Sequence, residues 1–565
     1  GPMLTRLYIK DFALIEEAII EFGPGLNVVT GETGAGKSIL IGALNSILGG
    51  PVSAELVRKG ANSCAVEGFF ELDDQDQIAR LADLGVLLED GQLILRREIR
   101  GQGRSRAFVN GQGQPIKQLK QIGSILVDLH GQHEHQSLLD PKLHARFLDA
   151  FADLDDQRRL VGQHWRAYRD SVARLDQLRA ERDALAAEDE LRTFQLEEIR
   201  LLTPRPGEEP EIERELQVLE NAETLSQGGL QLYDRLYQRE GAVYEILGQV
   251  RRQLDQLREI DPALGPQTAA LEELIYEVED LASQLRDYAR GIEVRPGRAD
   301  ELRERRDGLR TLKKKYGGTL DAVLERAREL AAREDRASLL RDELAQAAEH
   351  RDQALAGFAT CCLALSAARQ QASATLSRSL VAALGELGMA KALFYIELAT
   401  TEDLEGTVER DGRRYAAGEH GMEHVAFHIS ANAGEPPRAL ARIASGGEIS
   451  RVMLALKEAV AGRDLVSTLV FDEIDAGISG RIAAAVGRKL QALSAARQTI
   501  VITHLPQIAS LADQHFSVRK QQEQQRTTTE VVLLDAKARA EEIAYLLAGE
   551  TISDTARQHA REMLQ

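Results

Sequence analysis

Two α/β segments flanking one long helical hairpin form the architecture predicted by these 565 residues. Three observations carry this: short apolar runs near both ends, a 3-4 apolar spacing in the middle, and long stretches free of proline. Leu26–Thr30, Ser124–Leu129, Thr468–Phe471 and Thr499–Thr503 are apolar runs bounded by helical patterns, as expected of strands in a largely buried sheet. Val425, Phe427 and Ile429 alternate with other residues, which predicts a half-buried antiparallel strand. No proline occurs between Pro141 and Pro204, or between Pro296 and Pro436. Long helices are therefore permitted there, since an internal proline costs a helix about 3 kcal/mol.

The middle reads as coiled coil. Val243, Leu247, Val250, Leu254 and Leu257 follow a 4-3-4-3 spacing; Leu271, Leu274, Val278, Leu281, Leu285, Tyr288 and Ile292 continue 3-4-3-4-3-4. This is the 3.5-residue period of a coiled-coil seam. Charged residues rise to 23 of 50 over 301–350, against 28 % overall, as suits a solvated helix. The two seams mirror each other: Leu254 reflects onto Leu271, Val250 onto Leu274, Leu247 onto Val278 and Val243 onto Leu281, about a centre near 262. Pro206 reflects onto Gly318, and Gly228 onto Pro296, so paired breaks at one level are expected. Asp261-Pro262 and Gly265-Pro266 supply turn chemistry at the centre. The expected division is 3–150 for the first α/β part, 151–370 for an antiparallel arm with its apex near 258–267, and 371–565 for the second. An arm of about 100 residues would reach on the order of 150 Å at 1.5 Å per residue.

Composition narrows the function. Aromatics are 4 % and the formal charge is −19, against a chain that coats nucleic acid along its whole surface, though a local face remains open. Three cysteines (Cys64, Cys361, Cys362) cannot build a disulfide framework, and a reducing compartment is expected. No apolar run reaches about 18 residues, so no membrane span is expected, and acidic residues among the apolar ones near Met3 do not read as a signal peptide.

The chemistry lies at the two ends. Gly31-Glu32-Thr33-Gly34-Ala35-Gly36-Lys37-Ser38 matches GxxxxGK[ST] between an apolar run and the helical pattern Ile39–Leu48. That is a phosphate cradle: backbone N–H groups and a helix N-terminus face the anion, Lys37 reaches the β/γ phosphates, and Ser38 ligates Mg²⁺. Thr468–Phe471 ends in Asp472-Glu473, the first to orient the metal and the second to polarise water. Ser445-Gly446-Gly447-Glu448 opens the helical pattern Ile449–Ala461. By itself it reads as a plain N-cap or as an anion-binding start.

This set resembles the ATP-binding-cassette ATPases, and within them the SMC-like branch: the loop at 31–38, SGGE at 445–448, FDEID at 471–475, and Thr503-His504 after a strand. The resemblance implies an ABC-type head split in sequence, with ATP and Mg²⁺ as cofactors. It places Asp475 in a D-loop, His504 at the γ-phosphate, and Gln132 (or Gln136) of the stretch 127–136 on nucleotide and metal. It also places Arg58 and the basic stretch 96–106 where such heads meet nucleotide or DNA, although a solvated basic strand reads equally well. Ten residues at 258–267 cannot form a hinge domain, and adjacent Cys361-Cys362 cannot form a zinc hook. What remains is similar to the short-armed bacterial members that repair double-strand breaks. For these the resemblance implies a bacterial cytoplasmic, nucleoid-associated ATPase with no membrane contact. It would bind duplex DNA, especially ends, self-associate through heads and arms, and work beside a recombinase. ATP sandwiched between two heads would hold them together until hydrolysis. A mainly structural tether with ATP as a slow switch, or an ABC ATPase of another process, are the alternatives.

Overall fold

The strand Leu26–Gly31 forms because β-branched and apolar residues bury on both faces at once, Val28 into one core and Val29 into another. The computed structural model describes residues 3–32, 35–130, 137–187, 189–292, 295, 297–443, 446–460, 463, 466–523 and 526–565. Residues 1–170 with 352–565 form one compact unit and 171–351 a second. These limits fall further along the chain than 151 and further back than 370.

In the first unit, Leu26–Gly31 is third in a six-stranded sheet ordered Arg526–Leu533, Gln514–Glu523, Leu26–Gly31, Gln498–Ile502, Thr468–Phe471, Val127–His130. All neighbours are parallel except the edge pair Gln514–Glu523 with Arg526–Leu533. The parallel strand expected at Ser124–Leu129 starts later: Ser124–Leu126 end the helix Ile116–Leu126, and the strand is Val127–His130. Leu126 is buried in either state, so hydrophobicity alone did not separate them. A second six-stranded sheet is antiparallel throughout and drawn wholly from residues 3–114. The helix Ala35–Ile47 lies in the core shared by the two sheets, with Leu40, Ala43, Leu44 and Ile47 fully enclosed. The strand Glu423–Ser430 pairs antiparallel with Leu393–Thr400 and buries Val425, Phe427 and Ile429, as their alternation predicts.

One buried ion cluster fastens this unit. Arg369, on the helix Leu320–Glu386, donates two bonds of 2.8 Å to Asp149 and one of 3.1 Å to Glu423. All three side chains are essentially closed to solvent. A planar guanidinium satisfies two carboxylates in this way because its fork matches their geometry.

In the second unit the helix Val243–Ile260 turns through Pro262–Leu264 into Gly265–Gly291. Asp261 caps the turn by accepting the Ala263 N–H at 3.0 Å. The seam differs from the predicted one. Leu271, Val278 and Leu285 are half-buried as expected, but Leu274, Leu281 and Tyr288 are exposed. Thr268, Ile275, Ala282 and Ala289 fill the complementary positions at seven-residue intervals. Small residues let the facing helix close in: a Cβ on Gly229 would sit 2.8 Å from that of Ala289. Gly228-Gly229 therefore lie within the helix Ala222–Tyr233 rather than at a break. Nor do the other breaks pair at one level. The break after Leu202 lies beside the uninterrupted helix Arg298–Tyr316, where Arg305 donates to Thr203 O at 3.1 Å and to Glu208 at 2.7 Å.

Arg369→Ala leaves Asp149 and Glu423 buried without a counter-charge, so a loss of about 3–5 kcal/mol is expected. Trp165, the single tryptophan, packs 5.0 Å from Phe358 in the same unit. Urea unfolding followed by its emission measures this loss, and a change below about 1 kcal/mol contradicts the fastening role.

Candidate functional site

The predicted phosphate loop leaves the strand Leu26–Gly31 and enters the helix Ala35–Ile47. Its glycines are required by a neighbour: a Cβ on Gly31 would lie 2.5 Å from Val518 O, and one on Gly36 2.6 Å from Val518 Cγ1. Glu32 and Ser38 are exposed, and the Ala35 backbone opens the helix. Thr33, Gly34, Gln132, Gln136 and Ser445 lie outside the described residues.

Lys37 Nζ donates to Thr503 O at 3.5 Å. Burial lowers the Lys37 pKa, while the nearby charges of Asp475, Asp472 and Glu542 oppose that shift. The carboxyl of Asp472 is pushed up to about 6, first by burial and then by the charge of Glu473. It accepts the Glu473 N–H at 2.9 Å, and the Asp472 N–H donates to His130 O at 2.8 Å. Glu473 itself stands at φ +56°, in the left-handed region a side chain rarely adopts. Strain of this kind, on the order of 1–3 kcal/mol, persists only where surrounding structure imposes it.

Asp475 gathers the next elements. Its Oδ2 accepts from Thr503 Oγ1 at 2.6 Å and from the His504 N–H at 3.0 Å, and lies 2.8 Å from His504 Nδ1. A carboxylate at Nδ1 assigns the proton there and leaves the Nε2 lone pair free on a ring more than half exposed. The helix Gly446–Ala459 docks on the same segment. A Cβ on Gly447 would lie 2.8 Å from that of Ala476, Ser450 Oγ donates to Asp472 O at 2.8 Å, and Arg451 donates to Ala476 O at 2.9 Å. Gly446 and Glu448 share its first turn. The structure thus brings together Lys37, Asp472, Glu473, Asp475, His504 and Gly447, from both ends of the chain.

Three residues at this site carry no sequence motif. Thr30 Oγ1 lies 2.7 Å from His515 Nε2 and donates to Glu542 Oε1 at 3.0 Å. His515 has its pKa pushed down to about 4 by burial, so it is neutral near pH 7. A hydroxyl that donates to Glu542 must accept from His515 Nε2–H, which orients the row. Only the fold joins positions 30, 515 and 542.

Asp475, Asp472 and Glu542 act on one ammonium, that of Lys37, and carboxylates gathered in this way fit a cation. Among the described residues no group of three or more His, Cys, Asp or Glu is arranged to hold a metal alone. Mg²⁺ on a nucleotide needs only one or two protein oxygens, the others coming from phosphates and water. Ser38 and Asp472 would provide those.

Residues 3–528 match the family described as RecF/RecN/SMC N terminal domain. The "DNA repair protein RecN" of Halalkalibacterium halodurans is 36% identical over 569 residues, covering 100% of this chain and 98% of the relative. The chain belongs to the RecN family. A second member of this family, the "DNA repair protein RecN" of Treponema pallidum, is 37% identical over 571 residues, 100% of this chain and 98% of that one. Among solved structures, an Smc head domain with a coiled coil and joint derived from Pyrococcus yayanosii is 16% identical, at a TM-score of 0.49 over 96% of this chain and 99% of that one. Among the described residues no helix is long and apolar enough to cross a membrane.

A raised Asp472 pKa means that the folded protein binds this proton more tightly than the unfolded chain. Ionisation then costs stability as pH rises from about 4 through about 6, and the full cost is present above that. Asp472→Asn should raise the nucleotide-free melting temperature at pH 8 by a few degrees, and by clearly less at pH 5. An equal gain at both pH values would show that buried charge is not its source.

Proposed function

We propose that this chain is an ATP-dependent DNA-binding and DNA-tethering ATPase of recombinational double-strand-break repair. The convergence of Lys37, Asp472, Glu473 and the Asp475–His504 pair at one end of a parallel sheet carries the reading. The name "DNA repair protein" borne by its relatives supports the process. Lys37 neutralises the β/γ phosphates of ATP, and Gly31–Ser38 wrap them with backbone N–H groups. Ser38 and Asp472, with Gln132, would hold Mg²⁺, and the ion would supply neutralising positive charge to the phosphates. Glu473 takes the proton of the attacking water. Asp475 is a positioning residue: by fixing Nδ1 of His504 it aims Nε2 outward, toward the γ-phosphate. The Ser445–Glu448 segment offers its N–H groups to ATP held on a second copy, so ATP joins two heads and hydrolysis frees them. DNA ends and a recombinase are the implied partners, and the bacterial cytoplasm the implied compartment.

Glu473→Gln should keep ATP binding and lose hydrolysis by about 10²–10⁴-fold, leaving an ATP-held dimer that sedimentation detects. A monomeric variant with normal turnover contradicts both the base and the sandwich.

Turnover with linear, circular and no DNA tests the biological reading. Stimulation by linear duplex above circular is expected. Equal rates in all three favour a structural tether in which ATP is a slow switch.

A further inference from the structure

The row of Thr30, His515 and Glu542 has no part in the chemistry assigned above. Glu542 stands on the helix Ala536–Ala548, which Asp535 caps by accepting the Ala538 N–H at 2.8 Å. That helix is held on more than one side. Ile543 and Ala544, the next two residues, are wholly buried and form a small core with Ala560 of the helix Asp554–Met563. Arg539, one turn earlier, donates to Ala509 O at 3.2 Å and to Ser510 O at 3.0 Å. Glu542 is thereby fixed, and its Oε1 accepts the hydroxyl of the fully buried Thr30 at 3.0 Å.

Thr30 is followed directly by Gly31, where the predicted phosphate loop opens. A carboxylate from the last part of the chain is therefore anchored one residue from the start of that loop. Its charge reaches Lys37 together with those of Asp475 and Asp472. These three acids differ in what engages them. Asp475 is taken up by Thr503 and His504, and Asp472 is placed to hold Mg²⁺. Glu542 meets a hydroxyl, which satisfies a lone pair and leaves the negative charge intact. His515, neutral near pH 7, adds no positive charge to the row. Before a nucleotide arrives, Glu542 draws on the same ammonium that the phosphates need. Once they are bound, it is a like charge beside them, and like charges repel most where water is partly excluded.

We propose that Glu542 sets nucleotide affinity: its fixed carboxylate opposes the phosphate charge at Lys37, weakening binding and hastening release of the product. This rests on the nucleotide reading above and adds to it a residue that belongs to none of the motifs.

Fluorescence titration of the full chain with mant-labelled AMP, ADP and ATP tests this, in EDTA so that no metal offsets the phosphate charge. Glu542→Gln keeps the shape of the side chain and an acceptor for Thr30, and removes the charge. It should bind mant-ATP on the order of tenfold more tightly than the unaltered chain. The gain should fall from ATP to ADP to AMP, and mant-ADP should dissociate more slowly. Glu542→Asp, which keeps the charge, should stay close to the unaltered chain. An equal gain for all three nucleotides would place the effect in packing and overturn the proposal. So would unchanged ATP affinity in Glu542→Gln, or a gain in Glu542→Asp as large as in Glu542→Gln. Failure of the unaltered chain to bind mant-ATP, with or without Mg²⁺, would overturn the nucleotide reading itself, and this proposal with it.

Discussion

Strand order is the constraint from which the rest follows. Leu26–Gly31 has Gln514–Glu523 on one side and Gln498–Ile502 on the other; Val127–His130 pairs only with Thr468–Phe471. In this sheet, each strand from the beginning of the chain is thus hydrogen-bonded only to strands from its end. Neither end can complete this sheet, because each lacks the partners for its backbone groups. The candidate site stands at the seam, since Lys37 comes from one end while Asp472, Asp475 and His504 come from the other.

Buried charge follows the same division. Asp128 and Asp149 precede the inserted helices in sequence, and their partners Lys457 and Arg369 follow the hairpin turn. Replacing such pairs with apolar residues is often neutral for stability, so strength alone does not account for them. A mispaired half would leave acids or bases buried alone, and that penalty favours the correct union. Closing so long a loop is comparatively cheap, because the entropy cost grows only with the logarithm of its length.

How much was legible in the sequence depends on how local the cause is. The loop at 31–38, the strand ending in Asp472-Glu473 and the alternation of Val425, Phe427 and Ile429 are written in consecutive residues, and each could be read directly. The seam of the hairpin could be read only as a period. Whether Leu274 or Ile275 turns inward is decided by the facing helix, and the close approach of Gly229 to Ala289 favours the row of smaller residues. Ser124–Leu126 are apolar in a helix or a strand alike. Arg369 with Asp149 and Glu423, and Thr30 with His515 and Glu542, have no spacing at all that links them, because only the folded chain brings them together.

Interleaving also has a consequence in time. The antiparallel sheet draws all its strands from the first 114 residues, and no pairing in it spans more than the 68 residues between Met3 and Glu71. Val127–His130 must wait for Thr468–Phe471, about 340 residues later, or roughly 20–70 s of synthesis at 5–20 residues per second. Through that interval the nascent chain carries Leu26–Gly31 and Val127–His130 as apolar strands with open edges, the form most prone to pair with a neighbouring chain. For the first half of this protein, translation is therefore a period of exposure, and its early sheet is the scaffold on which the waiting strands are held.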